Sequence, residues 1–237
     1  MAIDVSLLGA VQSPPDVHDF QFASLLTPEQ QAVALPPRFR ADPVPPRIAQ
    51  VGGTCTAASS TYMRLFQQKK DLGAWLKLDY QWLYREEKRI DGIPGEGSTL
   101  RAAMSILKNK GQALTVAGGG VAAKNKISAY YAISQNVTAL KRAIYTYGGI
   151  VVAGPWAETD FHPEANGVLK APQTQAGGHA FYVLGWDDAR QAFLCLNTWS
   201  LPWGYQGSGV FFYPYSRVPD ANWGLWESWK AIDLPKS

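Results

Sequence analysis

The spacing of apolar residues predicts a long helix that begins at Cys55. From Cys55 to Lys70, small or apolar side chains recur every three to four residues, which places them on one buried face. These residues are Ala57, Ala58, Thr61, Tyr62, Leu65 and Phe66. Gly52-Gly53 form a flexible entry, and Thr54 is the predicted N-cap. The sequence therefore predicts that Cys55 lies in the first turn of a helix.

Other helical patterns flank this segment. The spacing predicts helices over Leu100–Gly111 and Asn136–Tyr145, and a shorter helix within residues 71–91. The charges of Arg85–Arg89 alternate in sign, so we expect this run to lie on the surface. The glycine- and lysine-rich residues 118–126 predict an exposed loop between two halves of the chain.

The second half of the chain carries strand patterns. Runs of β-branched, aromatic and other apolar residues predict strands over Tyr130–Ile133, Ile150–Gly154, Ala180–Trp186, Phe193–Leu196 and Gly209–Tyr215. Residues 155–178 contain three prolines and predict a long loop. The patterns indicate an α+β protein, with a mainly helical part at 51–125 and a mainly β part at 126–237.

Residues 1–50 predict an extended arm. They hold eight of the sixteen prolines, and proline removes a backbone donor and fixes φ. One short helix is predicted near Thr27–Val33, with Thr27 as N-cap and Pro28 at the first position. The arm also carries large apolar side chains, including Phe20 and Phe22, so we expect it to lie along the body of the protein.

Composition narrows the class of protein. A chain of 237 residues, 46% hydrophobic and 17% charged, can bury a large core. The net charge of +3 comes without a block of like charges, which argues against a nucleic-acid partner. The sequence contains no apolar run of membrane-spanning length and no secretory signal pattern.

The two cysteines, Cys55 and Cys195, suit a reducing compartment, and Cys195 is expected to pack as a small buried side chain. We therefore expect a cytoplasmic or otherwise non-secreted protein, with a virion-associated location and the oligomeric state left open.

Three distant residues suggest nucleophilic chemistry. His179 precedes one predicted strand and Asn197 follows the next, and the turn at Asp187–Arg190 joins the strands as a hairpin. The two side chains are therefore expected at the same end of the hairpin. A histidine oriented by an amide is a general base, and Cys55 is the best candidate nucleophile.

The blocks Gly-Gly-His179-Ala, Leu-Asn197-Thr-Trp199 and Pro-Trp203-Gly resemble the C-terminal half of papain-like cysteine peptidases. Gly-Gly-Thr-Cys55-Thr-Ala resembles the nucleophile segment of their bacterial-type branch. The order Cys, His, Asn agrees with the family, and the separations are near its usual range. The resemblance implies a two-lobe fold, with the thiol on a helical lobe and the histidine and asparagine on an antiparallel sheet lobe.

The resemblance also assigns roles. It implies a Cys55–His179–Asn197 triad that hydrolyses peptide bonds through a thioacyl intermediate, on a peptide or protein substrate and without a cofactor or metal. Trp199 and Trp203 would shield the site, and Gly95, Gly97 and Gly178 would border the cleft. The backbone amide of Cys55 and the side chain of Gln50 would form the oxyanion hole.

Three departures from the family pattern stand out. The family glutamine lies six residues before the cysteine, a position that Ala49 occupies here, whereas Gln50 lies five before. Thr56 stands where many relatives have a bulky aromatic residue, and Ser200 stands where glycine is usual.

The family usually carries an inhibitory prodomain, for which the residues before Cys55 look too short. We expect the arm to cross or flank the cleft.

Two other functions remain open. The same three residues could serve an amidase or acyltransferase acting on a cell-wall peptide or a small amide. A non-enzymatic binding or structural protein could keep the fold. A metal site at Asp160 and His162 is disfavoured, because two ligands lack further partners at metal spacing.

Overall fold

The computed structural model describes residues 4–115 and 126–233. Its α-helices are α1 (Pro28–Ala32), α2 (Cys55–Leu72), α3 (Tyr80–Glu87), α4 (Leu100–Asn109) and α5 (Val137–Tyr147). Its strands are β1 (Arg38–Arg40), β2 (Ala129–Ala132), β3 (Ile150–Ala157), β4 (Gln175–Asp187), β5 (Ala192–Leu196), β6 (Val210–Pro214) and β7 (Glu227–Ile232). The described helices lie mainly in the first half and the strands in the second, which confirms the predicted α+β class.

All the strands join one antiparallel sheet. Its order is β2-β7-β3-β4-β5-β6, and β1 adds to β4. The β4–β5 hairpin pairs Tyr182 with Leu196 and Asp187 with Ala192. This pairing carries the end of β5, and Asn197 after it, back towards the residues that begin β4.

Side-chain alternation gives the sheet two apolar faces. On β4, Ala180, Tyr182 and Leu184 pack with α2, α3 and α4 in one core. The alternate residues Phe181 and Val183 pack with α5 in a second core. Cys195 is fully buried in the second core, as expected of a small apolar side chain. The helix that begins at Cys55 therefore lies directly against the sheet that carries His179.

Local caps explain several element boundaries. Thr27 caps α1 through a reciprocal bond with Gln30, and Thr99 and Asn136 accept backbone N–H groups at the starts of α4 and α5. Thr54 occupies the N-cap position of α2 but does not cap it with its side chain. Its hydroxyl instead donates to the carbonyl of Val51 at 3.0 Å.

The predicted exposure of the run Arg85–Arg89 and the predicted length of the loop 155–178 were both wrong. Within the run Arg85–Arg89, Glu86 and Glu87 are buried, because α3 turns one face onto α2 and α4. The predicted loop 155–178 is shorter, since β3 continues to Ala157 and β4 begins at Gln175. The loop predicted around Gly118–Gly120 lies outside the described residues.

In the described part of the chain, no helix combines the length and apolarity that crossing a membrane requires.

Candidate active site

Cys55 is the first residue of α2, and its side chain is fully buried. The first backbone N–H groups of a helix have no partner within the helix and give its start a partial positive charge. The structure thus places the thiol where a thiolate would be favoured once burial is relieved.

His179 and Asn197 meet as the hairpin predicts. The ring Nε2 of His179 lies 2.8 Å from Oδ1 of Asn197. That oxygen also accepts the backbone N–H of Thr198 at 2.7 Å, so the ring nitrogen facing it must be the protonated one. Tyr62 of α2 donates its hydroxyl to the Asn197 carbonyl at 3.2 Å. These bonds orient the imidazole and leave Nδ1 without a hydrogen-bond partner among the described residues.

The imidazole lies between aromatic rings. The ring of Trp199 lies 4.9 Å from that of His179, and the ring of Trp156 lies 4.7 Å away, edge on. Trp203 packs against Trp199 at 5.0 Å and donates its indole N–H to the Phe161 carbonyl. Trp156 was missed by sequence reasoning, which placed it in a loop. The signal was an aromatic residue four positions after Val152, the last of the β-branched run.

Burial governs the charges of the thiol and the imidazole. It raises the pKa of Cys55 to about 11, against the opposing effect of the backbone amides of Ala180 and Gly9. It lowers the pKa of His179 to about 4, against the opposing effect of the hydrogen bond that the ring donates to Asn197. Cys55 packs in the same core as Ala180, the residue that follows His179. At neutral pH this conformation holds an uncharged thiol and an uncharged imidazole.

Gln50 lies beside the thiol helix and points its amide into the cleft. Its Nε2 donates to the carbonyl of Leu7 at 2.9 Å and to that of Gly52 at 2.6 Å. Its Oε1 accepts the hydroxyl of Thr198, so the NH₂ end of the side chain is the end that faces Leu7. An amide donor is therefore directed at a carbonyl oxygen despite the shift of one residue from the family spacing.

Residues 7–11 of the arm cross the site. The amide of Ala10 donates to the Gly178 carbonyl at 3.0 Å, and that of Val11 to the Ser98 carbonyl at 2.9 Å. Ser98 returns a bond from its own amide to the Gly9 carbonyl at 2.8 Å. The arm is thus held between Ser98, which precedes α4, and Gly178 of β4, with Gly9 beside the thiol.

The glycines predicted to border the cleft fall into two groups. A Cβ on Gly178 would overlap the Ala10 carbonyl, and one on Gly97 would lie 2.7 Å from the Gly9 oxygen. Both positions therefore allow a peptide backbone to approach closely. Gly95 is different, because a Cβ there would meet no atom within 4 Å. Gly95 therefore faces open space.

Asp160, one of the two residues of the disfavoured metal site, is paired with an arginine. Asp160 is fully buried and forms a two-pronged ion pair with Arg217, at 2.8 and 3.0 Å. In residues 4–115 and 126–233, no group of three or more potential metal-binding side chains occurs.

Comparisons with known proteins agree with this arrangement. The family model for papain family cysteine proteases matches residues 87–213, just over half of the chain and a span that includes His179 and Asn197. Cathepsin B-like cysteine proteinases 5 and 4 of Caenorhabditis elegans are 35% and 31% identical over 83 residues. Those matches cover 34% of this chain and only 24% of each relative, so the chain spans about a quarter of the length of the curated relatives it matches.

The fold is shared along nearly the whole chain. Xylellain, a cysteine protease from Xylella fastidiosa, superposes with a TM-score of 0.83 at 20% identity, covering 99% of this chain and 100% of xylellain. Procathepsin B from Trypanosoma congolense gives a TM-score of 0.81 at 18% identity, covering 98% and 88% of the two chains. With the sequence match over residues 87–213, these findings show that the chain belongs to the papain family of cysteine proteases.

Proposed function

We propose that this protein hydrolyses peptide bonds in peptides or proteins, with Cys55 as nucleophile and His179 as general base. The observation that carries the proposal is the placement of His179. Asn197 holds one ring nitrogen at 2.8 Å, the other has no described partner, and the thiol of Cys55 lies beside the next residue, Ala180. An imidazole whose tautomer is fixed by an amide on one nitrogen can use its other nitrogen to take a proton from a neighbouring thiol, which supports this role for His179.

The proposed reaction has two halves. The Cys55 thiolate attacks the scissile carbonyl, and the imidazolium of His179 then protonates the leaving amine. Water, deprotonated by His179, hydrolyses the resulting thioester and releases the acid product. The oxyanion formed in each half would accept hydrogen bonds from the Cys55 backbone amide and the Gln50 side chain.

The arm supports a peptide as the substrate. A segment of extended main chain fits the cleft and bonds to the carbonyl of Gly178 and to both backbone groups of Ser98. A small amide would use few of these bonds. We infer that a substrate must replace residues 7–11, so the conformation with the arm in place is the closed form of the proposed enzyme.

Hydrolysis of a mixed peptide library tests the proposal, with Cys55→Ala beside the parent chain. Cys195→Ala is the matched control, because Cys195 is equally buried but lies in the second core. We expect cleavage by the parent and by the Cys195 variant, and none by Cys55→Ala. Release of amide groups from cell-wall peptides without library cleavage would support the amidase alternative. A Cys55 that resists thiol alkylation even after the arm is displaced would support a non-enzymatic role.

A further inference from the structure

A buried carboxyl group lies under the residue that follows the nucleophile. Glu87, the last residue of α3, is fully buried, and its Oε2 accepts the hydroxyl of Thr56 at 2.7 Å. Thr56 is also fully buried and occupies the second position of α2. The pair joins α3 to the first turn of the Cys55 helix.

The groups around Glu87 offset the cost of burying its charge only in part. Oε1 is buried and has no hydrogen-bond partner among the described residues. Ser98, which lies nearby, acts to lower the pKa of Glu87, as does Thr56. The nearest charges, Lys88 and Asp91, act in opposite directions on Glu87, and they are bonded to each other at 3.0 Å. Burial therefore dominates and raises the pKa of Glu87 to about 8.

The charge of Glu87 reaches the thiol. A negative Glu87 raises the pKa of Cys55, because two like charges close together in a buried site oppose one another. The pKa of His179 is set instead by its burial and by Asn197. The effect of Glu87 is therefore on the nucleophile.

We propose that Glu87 is a positioning residue of the thiol site, which holds the first turn of α2 through Thr56 and, while protonated, keeps negative charge away from the Cys55 sulfur. Loss of this proton to solvent would make the thiolate less favourable. The inference rests on the proposed function for its kinetic consequence, but its effect on the thiol can be measured without any substrate.

The test uses the full chain carrying Gly9→Val, which should displace the arm because a Cβ at Gly9 would overlap the carbonyl group of Gly53. In this background, Glu87→Gln keeps an oxygen for the Thr56 hydroxyl and removes the ionisation. We expect the alkaline limb of kcat/KM to move to higher pH, with about a tenfold gain at pH 9 relative to the parent, the effect of one pKa unit. Alkylation of Cys55 by iodoacetamide should show a matching gain above pH 8.

Controls separate this role from a purely structural one. Glu86→Gln changes the neighbouring buried carboxyl group, which is paired with Lys110 and Arg89, and should leave both pH profiles unchanged. Should Glu87→Gln fail to fold, Thr56→Val provides the second measurement. Losing the hydroxyl should raise the pKa of Glu87 further and move the alkaline limb upward.

A folded Glu87→Gln variant whose profiles superimpose on those of its parent, or an equal shift in Glu86→Gln, would overturn the inference. Failure of every variant to cleave peptides would instead reject the proposed function, while the alkylation profiles would still decide the role of Glu87.

Discussion

Replacing Gly9 with valine should expel residues 7–11 from the cleft of the full chain. A Cβ at Gly9 would overlap the carbonyl group of Gly53, which belongs to the segment that leads into α2 and cannot move freely. The rest of the arm should stay in place. Phe22 is buried in the second core, and Asp19 forms an ion pair with Arg101 of α4.

The size of the effect follows from the bonds that would be lost. Four hydrogen bonds hold residues 7–11: from Ala10 to Gly178, from Val11 to Ser98, from Ser98 to Gly9, and from Gln50 to Leu7. At a net value of roughly 0.5–1.5 kcal/mol each, they stabilise the closed form by about 2–6 kcal/mol. Their loss should raise the population of the open form by roughly 30-fold to 10,000-fold, until the open form predominates.

Two assays measure the opening independently. The rate of Cys55 alkylation reports access to the thiol, and kcat/KM on the best library peptide reports access to the whole cleft. Both should rise together in Gly9→Val. Gln12→Val is the matched control, since it adds the same branched side chain at an exposed position of the arm and should leave both rates unchanged.

Rates within about twofold of the parent in a folded Gly9→Val variant would refute the reasoning, because the steric overlap leaves no room for the closed arm. Equal gains in Gln12→Val would also refute it, since they would show that any change to the arm opens the cleft. Mass spectrometry of the parent before and after assay shows whether the arm is cut, which separates displacement from cleavage.

Three further outcomes test the site and the fold. In the Gly9→Val background, Gln50→Ala should lower kcat by about 100- to 1000-fold with little change in KM, as loss of one oxyanion donor does; an unchanged kcat would exclude Gln50 from that role. Because burial holds the pKa of His179 at about 4, the unfolded state binds the proton first as pH falls. Stability measured by urea unfolding should therefore decline from pH 6.5 to 4, by on the order of 3 kcal/mol, and His179→Gln should remove that decline. Arg217→Met leaves the buried Asp160 unpaired and should cost about 3–5 kcal/mol of unfolding free energy, whereas a cost below 1 kcal/mol would show that the pair is dispensable.

Sequence patterns located the elements that carry the triad because those elements depend on local periodicity. Apolar residues at helical spacing placed Cys55 at the start of α2, and strand patterns joined by an aspartate-rich turn placed His179 and Asn197 at one end of a hairpin. The family resemblance added the order of the three residues and the two-lobe fold. Cap residues were also predictable, since a side chain that bonds a nearby amide needs no distant partner, as at Thr27.

The burial of Glu86 and Glu87, within the charged run Arg85–Arg89, could not be predicted from the residues of the run itself. Alternating charges normally face solvent, but Glu87 is buried because α2 and α4 pack over the end of α3 and Thr56 supplies a hydrogen bond. Trp156 was similarly placed by strand pairing, which extends β3 beyond the local pattern and brings an indole against the imidazole of His179.

By itself, the sequence determined most of the helices and strands, though not β1 or β7, and which residues could do thiol chemistry, because these follow from spacing along the chain. Only the tertiary structure decided that residues 7–11 lie over the thiol, that Gln50 faces a carbonyl in the cleft, and that a carboxyl group is buried under the nucleophile. Each of these results from contacts between segments far apart in sequence, whose geometry is fixed only when the sheet and helices pack together.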